Sequence, residues 1–214
     1  MSKIAVLGSG QVGQILAEGF LSQGHEVMRA SRDPGKLAAW KEATKGAKTG
    51  TFAEAASWAD TVVLAVKGTA AEAALEQAGI GNLAGKTVID TTNPIKDAPP
   101  INGVLAFFTN LDESLMERLQ RKAPDARFVK AFSCVGGPFM VKPSLPGGPP
   151  TMFICGNDKG AKAEVTQILG QFGWDTADMG TVEAALAIEP LCMLWCIPGL
   201  SGGSWQHAFK LLRG

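Results

Sequence analysis

A chain of 214 residues, 46% of them hydrophobic, can bury one substantial core and a small appendage. Its 20 lysines and arginines balance 20 aspartates and glutamates, so no net charge draws it to nucleic acid or to an anionic membrane surface. Four cysteines without a Cys-x-x-Cys pair, and only two histidines, argue against a metal site and predict reduced, small apolar thiols of a cytoplasmic protein.

The chain enters an apolar strand, Lys3 to Leu7, almost at once, with no cationic stretch leading an apolar helix, so a signal peptide is not expected. The strand runs into Gly8-Ser9-Gly10-Gln11-Val12-Gly13, followed by a helical pattern and a second strand, Glu26 to Ala30. Each part of that order has a job in holding a dinucleotide. The first glycine permits a tight turn, the second lets the backbone approach a pyrophosphate, and the third lets helix and strand pack closely. The helix N-terminus adds free N–H groups and partial positive charge. Three spaced glycines alone are a weak signal; strand, glycines, helix and second strand in this order are a strong one.

The end of the second strand discriminates between dinucleotides. An acid there would accept from the ribose 2′-hydroxyl of NAD and would repel a 2′-phosphate. Ala30-Ser31-Arg32 stands in that place. Arg32 offers a charge-assisted grip on a phosphate, Ser31 a hydroxyl donor, and Lys36, one turn further, a second positive charge. Asp33 is the competing ribose acid, slipped by a few residues. It precedes Pro34, however, and reads better as an N-cap with proline at the first helical position. NADP is therefore favoured over NAD.

Strand and helix patterns alternate along the rest of the chain. They predict an α/β fold: a Rossmann-type doubly wound parallel sheet with right-handed crossovers and a small C-terminal α/β cap. Leu37 to Lys45 reads as the second helix. Thr51-Phe52-Ala53-Glu54 is a capping box opening a helix to about Ala59, and Thr69-Ala70-Ala71-Glu72 another, to about Ala78. Thr61 to Val66 reads as a buried strand, and Lys86 to Asp90 as another that leads into Thr91-Thr92-Asn93-Pro94. Asn110 to Glu113 caps a helix ending near Lys122, and Arg127 to Phe132 is a sixth strand. Phe139 to Pro150, rich in proline and glycine, is a long surface loop. A strand from Thr151 to Cys155, a helix from Lys159 to Phe172 and a strand from Asp175 to Asp178 follow. Helices from Thr181 to Trp195 and from Gly203 to Leu212 close the chain. The apolar stretch Leu186 to Leu200 is interrupted by Glu189, Pro190 and Pro198, so it is not expected to span a bilayer. Residues 1–132 are thus expected to form the NADP-binding domain. Residues 133–214 are expected to form a cap that makes the second-substrate pocket and the contacts of a homodimer.

The chain contains no tyrosine. The Tyr-x-x-x-Lys pair by which short-chain dehydrogenases protonate an alkoxide is therefore impossible. His25 sits in the turn from first helix to second strand, away from the strand ends where ligands bind in such sheets. His207, on the last predicted helix, is a candidate to line the site. No catalytic acid or base is assigned. Hydride transfer between a nicotinamide and a flavin-like ring involves no carbonyl oxygen and asks mainly that two rings be stacked away from water. Candidates at the strand ends are Ala65, Val66, Lys67, Asn93 and Pro94 for the cofactor. For the second substrate they are Phe132, Ser133, Cys134, Gly136 and Gly137, with Trp195 as an apolar wall. Cys134 has neither a neighbouring base nor a partner cysteine to make it a redox nucleophile. The apolar positions from Pro190 to Trp195 read first as core and second as a dimer contact.

Together these residues resemble the coenzyme F420-dependent NADP oxidoreductase family over essentially the whole chain. The resemblance is carried by the Gly8–Gly13 loop, Ala30-Ser31-Arg32-Asp33, Val129-Lys130-Ala131-Phe132, Ile154-Cys155-Gly156-Asn157-Asp158 and the late Glu189-Pro190-Leu191 segment. The compact length, without a large helical C-terminal domain, argues against hydroxyisobutyrate-type, pyrroline-carboxylate and imine reductases. The resemblance implies NADP(H) as cofactor, with Ser9 and Gln11 along the pyrophosphate and Ser31 and Arg32 on the 2′-phosphate. It also implies that the loop after Phe132 lies where nicotinamide and deazaflavin meet. The chain departs from the family at Phe132-Ser133-Cys134, where some members carry histidine and others asparagine, and in the Phe139–Pro150 loop. The same architecture resembles the soluble NADPH-binding part of the six-transmembrane ferric reductases, where a flavin takes the hydride. Coenzyme F420 is the first expected co-substrate and FMN or FAD the second. A flavin, ferric or small-electrophile reductase and a non-catalytic NADPH-binding sensor stand as alternatives.

Overall fold

Four consecutive apolar residues, Ile4 to Leu7, leave β1 (Lys3–Leu7) without a wet face. Strand side chains alternate, so Ala5 and Leu7 enter the core on one side of the sheet and Ile4 and Val6 the core on the other. The computed structural model describes residues 1–214 and places β1 at the centre of a six-stranded parallel sheet of order β3-β2-β1-β4-β5-β6. Its other strands are β2 (Glu26–Ala30), β3 (Lys48–Gly50), β4 (Thr61–Leu64), β5 (Thr87–Asp90) and β6 (Arg127–Lys130). The expected doubly wound parallel sheet is what forms.

Helices α1 (Gln11–Ser22) and α2 (Ala38–Ala43) pack on the Ile4/Val6 face. The other face is covered by α3 (Phe52–Trp58), α4 (Ala71–Ala78), α5 (Ile80–Leu83) and α6 (Leu115–Lys122). A second, two-stranded parallel sheet pairs β7 (Thr151–Ile154) with β8 (Asp175–Asp178), joined by α7 (Lys159–Gln171). This later segment shares the core of the main sheet: Val165 and Leu169 of α7 belong to the same cluster as Leu16 and Phe20 of α1. Thr61 and Thr87, at the starts of β4 and β5, each donate to Glu164 of α7 at 2.6 Å. The short α8 (Ala185–Ile188) and the longer α9 (Pro190–Leu200) complete the chain's regular structure. The run Val182–Leu200 is long and apolar enough to cross a bilayer by composition alone, yet its Glu189 is buried in the protein interior.

Several elements differ from the sequence expectation, each for an identifiable reason. The Thr51 capping box forms as expected. Thr69 instead lies within a 3-10 turn, and its hydroxyl donates to Asp97 at 3.3 Å, so α4 has no side-chain cap. The box that opens α6 is Ser114 with Glu117, four residues after Asn110, whose side chain accepts from Asp112 in a local turn. The sixth strand ends at Lys130 rather than Phe132, because Phe132 turns to φ 61. The predicted helix from Gly203 to Leu212 is absent. That segment runs extended beside β7, with Thr151 N–H donating to the Phe209 carbonyl at 2.8 Å and Leu211 N–H to the Thr151 hydroxyl at 3.0 Å. Gly202, at φ 85, and Gly203 break the helical path after α9.

The carboxyl ends of the last two main-sheet strands are joined by charge. Asp90 and Lys130 are cross-strand partners, and Lys130 Nζ lies 2.6 Å from Asp90 Oδ2 and 2.9 Å from Glu189 Oε1. It also donates to the Thr92 carbonyl at 2.9 Å. Glu189, at the head of α9, accepts from the Leu115 and Met116 N–H groups at 2.9 and 3.0 Å, which satisfies the start of α6. Asp90 Oδ1 accepts from both the N–H and the hydroxyl of Thr92. All three ionic side chains are at most 2% exposed. Burial pushes the Lys130 ammonium toward neutrality, but Asp90 and Glu189 more than offset it and hold the proton above the ordinary lysine range. Stability from this raised group is fully present below the ordinary lysine range and fades only under strongly alkaline conditions. Lys130→Met strands two carboxylates in the interior and is expected to remove about 3–5 kcal/mol from the unfolding free energy. Urea denaturation checks it; a loss below about 1 kcal/mol would show that the network does not hold the fold.

Candidate functional site

The strand order reverses about β1, with β2 on one side and β4 on the other. A crevice opens beyond the strands' carboxyl ends at such a switch point. The loop from β1 to α1 forms its floor. At Gly8, with φ 151, any side chain would run into the Ala65 carbonyl beyond β4. A side chain at Gly13 would meet the Gly8 carbonyl, so helix and strand pack as closely as the motif predicts. Gly10 is the opposite case: its missing side chain faces open space. It is the N-cap of α1, with no side-chain cap and no acid in the first turn. None of the N–H groups from Ser9 to Gly13 donates to a backbone carbonyl. Open space, free donors and a helix N-terminus together fit a pyrophosphate.

Two cavities meet over this floor and share Gly10, Ala65, Val66 and Lys67. The first, about 500 Å³, runs from Gly8 and Ser9 to Ser31, Arg32 and Lys36. The Ser31 hydroxyl accepts from the Asp33 N–H at 3.2 Å, and Asp33 Oδ1 accepts from the Gly35 N–H at 3.0 Å. Asp33 thus caps the 3-10 turn Pro34–Leu37, as its proline neighbour suggests, and is committed to backbone. Arg32 and Lys36 are exposed and paired with no carboxylate. Two free cations beside a serine suit a 2′-phosphate.

The second cavity, about 730 Å³, is lined by Gln11 and Val12 of α1, the Ala65–Gly68 loop and Thr91 to Asn93. Pro94 is buried behind that wall. Its outer wall, Ile95 to Pro99, is a part of the site that sequence reasoning missed. These residues form one arm of a short hairpin flap. Lys96 N–H donates to the Ala106 carbonyl, Ile101 and Val104 exchange both backbone bonds, and Phe108 N–H returns to the Pro94 carbonyl. The turn is Asn102-Gly103, both at positive φ. An Asn-Gly pair between two β-branched residues was the available signal. Asp97 on the flap meets Lys67 across the cavity mouth at 3.0 Å. The Lys67 hydrogen bond and charge hold that carboxyl below the usual carboxylate range.

The residues expected around the second substrate line neither of these cavities. Phe132, Ser133 and Cys134 are at most 3% exposed. The Phe132 N–H points at the Met152 sulfur, 3.1 Å away, and the Ser133 carbonyl accepts from Asn93 Nδ2 at 2.7 Å. This turn therefore supports the Asn93 wall from behind. Gly136 lies directly beneath the Trp195 ring, and Gly137 against Ile15. His207 is not helical: its ring stacks on Trp195, and each residue donates a ring N–H to the other's carbonyl, at 2.9 and 2.8 Å. Their burial had a sequence signal only in their apolar neighbours. Burial pushes the Cys134 thiol up to about 12, so the sulfur is protonated near neutrality and unsuited to nucleophilic work.

The chain is similar to proteins of known name. The family model described as NADP oxidoreductase, coenzyme F420-dependent, matches residues 3–94. A crystal structure of a candidate F420-dependent NADP reductase from Arthrobacter sp. FB24 superposes with a TM-score of 0.93 at 34% identity, covering 100% of both chains. Metalloreductase STEAP3 of Rattus norvegicus is 27% identical over 202 residues, 92% of this chain; the chain spans 38% of that relative's length. An imine reductase from Aspergillus terreus, in complex with NADPH4 and dibenz[c,e]azepine, shares the fold at a TM-score of 0.67 and 20% identity, over 91% of this chain and 60% of the other.

Gly10→Val adds a side chain where only the crevice receives it. As valine is a poorer N-cap than glycine, it is expected to lower thermal unfolding by only about 2–4 °C while weakening NADP(H) by about tenfold or more, on the scale of one lost charged hydrogen bond. Parallel melting and titration curves check both halves. For the thiols, a reagent applied near neutral pH should label Cys196, whose thiol the Cys192 hydrogen bond holds below its usual range, well before Cys134. Labelling of Cys134 first, read by peptide mass, would contradict its burial.

Proposed function

The chain belongs to the coenzyme F420-dependent NADP oxidoreductase family, and we propose that it passes a hydride between NADP(H) and a deazaflavin of the F420 kind. It is an NADP-dependent oxidoreductase. When bound, the coenzyme supplies or takes up the hydride at its nicotinamide ring. The Ser9–Gly13 loop holds the pyrophosphate on free N–H groups, and Ser31, Arg32 and Lys36 hold the 2′-phosphate. The dinucleotide then lies along the shared border of Gly10, Ala65, Val66 and Lys67, with its nicotinamide in the larger cavity.

One observation carries the acceptor proposal. The larger cavity, about 730 Å³, has the size of a full small-molecule site and exceeds what a nicotinamide fills. Its ionisable lining groups are Lys67, Lys96 and Asp97, and two of these are paired with each other. A wall of Val12, Val66 and Ile95 facing Thr92 and Asn93 can stack a second ring, and transfer between rings needs no proton at a developing alkoxide. Phe132, Ser133 and Cys134 then act by supporting the Asn93 wall, with Gly136, Gly137, Trp195 and His207 further from the rings. In the same proposal the protein is a cytoplasmic homodimer that meets through α9, whose Leu194 is exposed. The likeness to a metalloreductase favours a second reading, in which FMN or FAD takes the hydride and passes electrons to a metal ion.

NADPH oxidation followed with F420, then FMN, then FAD, separates these readings; turnover with a flavin and none with F420 would replace the first by the second. Arg32→Ala is expected to weaken NADPH by about 10–100-fold, the scale of a lost charge-assisted contact, with little change for NADH. Equal losses for both coenzymes would remove the 2′-phosphate from Arg32.

A further inference from the structure

Behind the glycine loop lies a buried cation that neither the fold nor the coenzyme site has yet used. Arg29, on β2, is 2% exposed. Its Nε donates to the Gly8 carbonyl at 3.2 Å and its Nη2 to the Gly10 carbonyl at 2.8 Å. The guanidinium lies over the Trp40 ring, 5.2 Å from its centroid. Trp40 in turn donates from Nε1 to Glu18 Oε1 at 3.1 Å. Glu18 is the acid that acts on Arg29, and it does so from beyond ion-pair distance. Burial disfavours the charge, yet an arginine stays protonated in a protein.

A trans peptide unit points its C=O and the following N–H in opposite directions. Carbonyls drawn inward at Gly8 and Gly10 therefore turn the Ser9 and Gln11 N–H groups outward, toward the crevice. The cation behind them is not cancelled by a direct carboxylate partner, and its field reaches the same place through a poorly screening medium. We infer that Arg29 is a positioning residue for the coenzyme's pyrophosphate, fixing the outward aim of the loop's donors and adding positive potential beneath them. The inference rests on the NADP reading of the crevice and deepens it. It also assigns Trp40 and Glu18 a purpose, that of seating the guanidinium.

The test compares ligands with and without a pyrophosphate. Kd values for NADPH, NADH and 2′-AMP are measured by titration for the wild type, Arg29→Met and Arg29→Lys. Arg29→Met is expected to weaken NADPH and NADH by the same factor, about tenfold or more, and to leave 2′-AMP within about twofold. Arg29→Lys keeps the charge but not the two-pronged geometry, so it loses less, about threefold for each dinucleotide. Should the methionine variant fail to fold, 2′-AMP binding fails with it and the lysine variant decides alone. Unchanged dinucleotide affinity in a folded variant, or a loss of 2′-AMP in step with NADPH, overturns the assignment. Failure of the wild type to bind NADPH would instead remove the reading beneath it.

Discussion

The ion pair of Lys130 with Asp90 and Glu189 is the constraint on which the rest of the structure leans. It sits where the last two strands of the main sheet end, and it draws in the start of α6 and the head of α9. Such a network is costly to bury, and its merit lies in the alternatives it forbids. With Lys130 in the interior, Asp90 has to stay beside it, and Thr92 is fixed by both. The chain then leaves β5 in one direction only, and that direction makes Thr91 to Asn93 a wall of the crevice. A buried network directly behind Thr92 thereby sets the shape of the crevice.

The two halves of the crevice are built by different means. At the end proposed for the phosphates, the groups on offer are main-chain N–H groups and the exposed cations Arg32 and Lys36. At the end proposed for the rings, the surface offers shape, with the loop after β4, the end of β5 and the flap facing one another. Backbone orientation is common to both: the loops beyond β1 and β4 lie so close that a side chain at Gly8 would run into the Ala65 carbonyl. The two cavities therefore share one floor, Gly10 with Ala65, Val66 and Lys67.

How much of this was legible in the sequence depends on the range of the interaction. The glycine loop, the serine and arginine after β2 and the Asp33 cap are local patterns, and each does locally what its residue types suggest. β3 was not legible, because Lys48–Gly50 is three residues long and pairs only along one edge. The last segment misled, since its composition tolerates a helix, but pairing with β7 and the Trp195–His207 stack offer its backbone and rings better partners. The loop after Phe132 was expected to face the second ring, and strand ends in such sheets usually do. Here Phe132 turns to positive φ and folds the chain under the wall it was expected to form. Such outcomes depend on residues far apart in the chain, and no window of sequence contains them.

The flap across the larger cavity is tied to the β4 loop by Lys67 and Asp97, whose side chains are 79% and 65% exposed. An ion pair so wet is weak and is screened by ordinary salt. The outer wall of the larger cavity is therefore soft toward ionic strength, while the glycine loop is braced from within by Arg29 and by packed backbone. A medium rich in ions would loosen the mouth of that cavity and leave the glycine loop as rigid as before.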